Sequence, residues 1–177
     1  VIVVKPQGAL SLPVADGWNL LSMPYVPVDG SVDAIYPTAT SSAFSYQTGY
    51  QAQTSVSPGT GYWLKFGSAQ SVDLDGGVIT SDTVTVSLGW NIVGSISVPV
   101  AAASILSDPG GLVTSSFFGY NLGYFTADTL HPGYGYWVKV GAPGSLMLQD
   151  SPVPAPAAGR IRIVPTSEVP PAGNPNR

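Results

Sequence analysis

Two tryptophan–lysine pairs are the residues of this chain best suited to holding a ligand. Trp63 and Lys65 stand two apart, as do Trp137 and Lys139, so in a strand each pair shares one face. An indole beside an ammonium suits a sugar: the ring stacks on the pyranose while the ammonium donates to its hydroxyls. The same pairs serve folding if each indole packs on a neighbouring sheet or on the other copy of the motif, with the lysine stem along it. Their recurrence favours folding, because residues kept by two copies serve what both copies share.

Other chemistry is sparse. Asp73 and Asp75 alternate, and such oxygen clusters suit Ca²⁺, but Met147 and Gln149 stand at the matching positions of the second copy. His131, the only histidine, precedes Pro132 with no Ser/Asp or carboxylate pair adjacent. The ten acidic residues are scattered without a repeated pair for glycosidase chemistry. No phosphate-binding glycine loop with Lys-Ser/Thr is present. No catalytic, cofactor or metal residue is assigned, and the expectation is a protein that is not an enzyme.

What positions the pairs is a duplication. Gly17-Trp18-Asn19-Leu20-Leu21 opens the first copy and Gly61-Tyr62-Trp63-Leu64-Lys65-Phe66 closes it. Gly89-Trp90-Asn91-Ile92-Val93 and Gly135-Tyr136-Trp137-Val138-Lys139-Val140 repeat both marks. The offset is 72 at the opening and 74 at the close, so the second copy is two residues longer. Trp18 and Trp90 are expected to fill a core, and Asn19 and Asn91 to satisfy turn backbone.

Period-2 alternation at Leu10, Leu12 and Val14 predicts a strand leading into the first motif. Trp18 to Met23 is apolar on both faces, as for a strand covered by two layers. Hairpins are expected across Thr48-Gly49 and Leu122-Gly123, and matched turns at Pro58 to Gly61 and Pro132 to Gly135. Ser31 is a candidate N-cap for a short helix before Pro37. Asp75-Gly76-Gly77 is expected to link the copies. The fold class predicted is all-β: two tandem, pseudo-symmetric sandwich or barrel repeats. The divisions are 1–8 (an N-terminal strand), 9–77 (first repeat), 78–150 (second repeat) and 151–177 (Pro-rich linker, C-terminal strand and tail).

Charged residues are only 9% of the chain, against roughly 25% in ordinary soluble domains. The net charge of −4 gives nothing to draw nucleic-acid phosphates or anionic lipid. No apolar run is long enough to span a bilayer as a helix, and no membrane insertion is expected. Cysteine is absent, which excludes disulfides and thiolate metal sites.

The pairing of a Gly-Trp-Asn-aliphatic strand with a Gly-Tyr-Trp-aliphatic-Lys strand resembles repeats of large secreted bacterial surface proteins. Such repeats lie near the C-terminus, often just before the sorting domain of the type IX secretion route. The segment Ile163 to Pro171 resembles the linkers that precede those domains. The resemblance implies an extracellular protein of the bacterial cell surface, and it transfers no catalytic residue.

Two β-forming stretches fall outside both copies. Val1, Ile2, Val3 and Val4 form a β-branched run at one end. Arg160, Ile161, Arg162, Ile163 and Val164 alternate at the other. These are the candidate subunit contacts: a strand added to the sheet edge of another copy gives a homopolymer. The expected function is therefore a non-catalytic structural subunit of an extracellular fibre or surface assembly. Its rivals are a carbohydrate-binding module taking polysaccharide on Trp63/Lys65 and Trp137/Lys139, and a spacer domain of a larger secreted protein.

Overall fold

Among the described residues, glycine- and proline-marked turns cut the chain into short strands that pair antiparallel. The computed structural model of the protein describes residues 6–150 and 168–171. The terminal strands expected at 1–4 and 160–164 lie outside the described residues.

The first copy supplies β1 (Gln7–Val14), β2 (Gly17–Ser22), β3 (Tyr25–Val26), β4 (Ala43–Tyr46), β5 (Tyr50–Gln53), β6 (Gly61–Phe66) and β7 (Gln70–Val78). They form a four-stranded sheet, β2-β6-β4-β5, and a three-stranded sheet, β1-β7-β3. The second copy supplies β8 (Ser81–Val86), β9 (Gly89–Val93), β10 (Val100–Ala101), β11 (Leu106–Asp108), β12 (Phe117–Tyr120), β13 (Tyr124–Ala127), β14 (Thr129–Leu130), β15 (Tyr136–Val140) and β16 (Gly144–Gln149). Its sheets are β9-β15-β12-β13, β11-β16-β8 and the small pair β10-β14. The protein is thus all-β, built of packed antiparallel sheets. Corresponding strands of the two four-stranded sheets occur in the same order.

Alternation decides what each strand buries. Tyr62, Leu64 and Phe66 of β6 point into a core shared with Leu12 and Val14 of β1 and Val72 and Leu74 of β7. Tyr136, Val138 and Val140 of β15 do the same with Val84, Val86, Leu146 and Leu148. The opposite faces of both four-stranded sheets carry a third cluster, Leu20, Trp63, Ile92 and Trp137. Each of these sheets is covered on both sides, as the doubly apolar β2 requires.

One local expectation is corrected. Asp75-Gly76-Gly77 is not a linker but the end of β7, which runs on to Val78 against β1 and β3. Gly76 is needed there because a Cβ would meet the Val26 carbonyl oxygen at 2.4 Å. Only residues 79 and 80 connect the copies. The helix near Ser31 is a single turn, Val32–Ile35, and the Ser31 side chain makes no cap hydrogen bond. In the second copy the same region holds a 3₁₀ turn, Ala102–Ser104, followed by β11, a strand that pairs with β16.

Candidate functional site

The expected binding pairs meet at the junction between the two copies. Trp63 reaches across to Tyr120 and Tyr124 of the second copy, with edge-on rings at centroid distances of 4.8 and 6.5 Å. Trp137 reaches back to Tyr46 and Tyr50 of the first at 4.8 and 6.5 Å. Edge-to-face pairs at such spacings are the favoured arrangement of aromatic quadrupoles. Both indoles are completely buried. This removes the stacking platform on which a sugar would sit, so the carbohydrate assignment of Trp63, Lys65, Trp137 and Lys139 is corrected. The rings are enclosed by the tyrosines of the opposite copy. Lys65 is exposed, and Lys139 pairs with Glu168.

The four tyrosines were not singled out by sequence reasoning. Their signal is the hairpin spacing, Tyr46 and Tyr50 in one copy against Tyr120 and Tyr124 in the other. Each pair flanks a turn whose tip has positive φ, at Thr48 and Leu122, and its members stand directly opposite in the antiparallel register, so both rings of a hairpin project to one face. Trp18 and Trp90 were expected in a core. They lie half-buried at the rim of the cluster, against Phe44 and Phe118 respectively.

Backbone also crosses the junction. Gly135 N–H donates to the Leu20 carbonyl, Ser22 N–H to that of Gly133, and Gly94 N–H to that of Gly59. Isolated bridges join Leu21 to Tyr134 and Thr60 to Val93. Beneath them the hydroxyls of Ser22 and Ser95 lie 2.9 Å apart, both buried. Ser22 also donates to the Tyr134 carbonyl, and Ser95 accepts from Gly133 N–H. Buried hydroxyls satisfied in this way fix register between the halves.

The asparagine reading matches the observed bonds. Asn19 accepts from Ala15 N–H and donates to the carbonyls of Ala15 and Gly17. Asn91 does the same with Ser87 and Gly89. Each amide clamps the turn that carries the chain from one sheet to the other. Asn91→Ala should cost roughly 1–3 kcal/mol, the usual penalty for orphaning such groups. Chemical denaturation of the single variant measures it.

The remaining candidates stand apart. His131 is exposed, and its backbone N–H donates to the Tyr136 hydroxyl, as Ser57 N–H does to Tyr62. The position thus serves a turn in both copies. Asp73 accepts from Ser11 across β1 and β7, and no group of three metal-ligating side chains occurs among the described residues.

Two phenols at the junction, Tyr50 and Tyr124, are strongly perturbed. The buried Nε1 atoms of Trp63 and Trp137 have no partner of ordinary hydrogen-bond geometry. Each still lies near enough to a hydroxyl, of Tyr50 and Tyr124 respectively, to favour its anion slightly. Burial outweighs this, pushing Tyr50 up to about 12, helped by the charge of Tyr46. Burial, then Tyr50, pushes Tyr124 higher still. Burial also holds Tyr136 at about 12 and Tyr36 well above the ordinary phenol range. Unfolded phenols ionise near 10, so the folded state keeps these protons longer. Stability from these groups is complete below about pH 10 and is lost as the pH rises towards about 12. Denaturant midpoints should fall through that window.

Among the described residues, β1 hydrogen-bonds only to β7 and β8 only to β16. Each therefore presents one unpaired backbone edge, eight residues long in β1 and six in β8. Comparison of the chain with family models, with curated proteins and with solved structures finds no match.

Proposed function

We propose that this protein is a non-catalytic, secreted structural subunit of an extracellular fibre or bacterial surface assembly, joined by terminal strand addition. One observation carries the reading: the eight-residue edge of β1 has no hydrogen-bonded neighbour on its outer side among the described residues. Unpaired N–H and C=O groups in a row are a template for a further strand. The chain has β-forming stretches at both ends to supply one, Val1 to Val4 and Arg160 to Val164. A donor at one end and an acceptor on the body make a head-to-tail contact that does not close on itself, and such contacts build filaments. The low charge of the chain suits a surface that is partly covered by neighbouring subunits.

Deleting residues 159–177, and separately 1–5, tests this. One of the two deletions should abolish assemblies seen by electron microscopy and sedimentation, while the far-ultraviolet spectrum of the body is kept. Native-like assemblies from both truncated chains would sink strand addition.

A further inference from the structure

The described part of the C-terminal tail, Glu168–Pro171, lies against the second copy's sheet. The Glu168 carboxylate accepts from the Lys139 ammonium. The Tyr124 hydroxyl donates to the Pro171 carbonyl. Pro170, between these anchors, is buried, whereas Val169 is 71% exposed. Two successive prolines offer carbonyls but no N–H. A tyrosine hydroxyl is the donor they need, and aromatic-lined surfaces are the common receptors of such segments.

We propose that Tyr124 and Lys139 form a docking site for an extended Glu-x-Pro-Pro segment, and that in an assembly the segment comes from a second copy of this chain. The choice of a second copy rests on the assembly reading above. Two features support it. The hold within one molecule is slight, an exposed ion pair and one hydrogen bond around a single buried proline. Seventeen residues, 151–167, separate Asp150 from Glu168, a length that spans roughly 50 Å if fully extended at polyproline rise. That is enough chain to reach a neighbouring subunit. A tethered segment competes at an effective concentration on the order of millimolar. Its own site therefore wins in dilute solution, and a neighbour's site competes when subunits are packed.

Carbodiimide joins a carboxylate and an ammonium in contact as an amide, so it traps this pair. Full-length light and ¹⁵N-labelled chains are mixed, cross-linked and digested. The expected product is a Lys139–Glu168 peptide of one isotope at about micromolar chain, and of mixed isotope at about millimolar chain. Tyr124→Phe, which keeps the ring, should lower its yield several-fold. Absence of mixed pairs at every concentration would overturn second-copy docking, and absence of the amide altogether would overturn the site. The double variant Ile161→Asp, Ile163→Asp separates this from strand addition. Assembly lost with the mixed pair kept leaves docking standing and supports the strand as a separate contact, whereas assembly kept removes Arg160 to Val164 as the added strand. Loss of both overturns docking as an independent contact.

Discussion

Replacing Trp63 or Trp137 by alanine is expected to destabilise the protein by roughly 3–5 kcal/mol, the usual cost of emptying a large aromatic site. Each indole is fully buried and packed by two tyrosines of the other copy. The cavity cannot collapse easily, because its walls belong to two sheets held by backbone bonds across the junction. Trp18→Ala and Trp90→Ala should cost distinctly less, since those rings are half-buried at the rim. Urea melts of the four variants rank them. Equal losses at all four positions, or a Trp63→Ala loss below about 1 kcal/mol, would contradict the junction described above. A double-mutant cycle between Trp63 and Tyr120 should return a coupling of about 0.5–1.5 kcal/mol.

Alanine at Gly61 or Gly135 should also destabilise the protein, for the opposite reason. The two glycines stand back to back: a Cβ on either would lie 3.2 Å from the Cα of the other. A Cβ at Gly61 would also meet Ile92 Cγ2 at 2.3 Å and the Val93 carbonyl oxygen at 2.9 Å. At Gly135 it would meet the Leu21 carbonyl oxygen at 2.9 Å. Backbone cannot step aside as a flexible side chain can, and the Gly135 bond to Leu20 would have to lengthen. Overpacking of this kind costs roughly 1–3 kcal/mol per site, occasionally more. Gly49→Ala is the control: nothing lies within 4 Å of its added Cβ, so its effect should stay within about 0.5 kcal/mol. A thermal melt of Gly61→Ala unchanged from the parent would contradict the back-to-back approach of Gly61 and Gly135.

Tryptophan beside lysine on one strand face suits a sugar, yet the opposite copy occupies that face. The assembly reading draws instead on the edges, where β1 and β8 leave backbone groups unpaired.

Local chemistry was legible from the residues alone. Period-2 alternation at Leu12 and Val14 marked β1, and the hairpin about Thr48-Gly49 has the expected strands, β4 and β5. The asparagines after each Gly-Trp clamp their turns, because a short amide two residues beyond a turn reaches only local backbone. Those outcomes depend on neighbours within a few positions, and spacing encodes them. Tertiary structure alone decided the rest. Alternation shows that β6 has two apolar faces, but it is silent on whether the second is covered by a sheet, by the other copy or by a ligand. Trp63 and Tyr120 are 57 positions apart, and only the docking of the two four-stranded sheets brings their rings to 4.8 Å. Likewise Asp75-Gly76-Gly77 has turn composition, yet β1 on one side and β3 on the other supply hydrogen-bond partners that hold it extended. Pairing across a sheet overrides local preference, because each backbone group must be satisfied by whichever strand the fold places beside it.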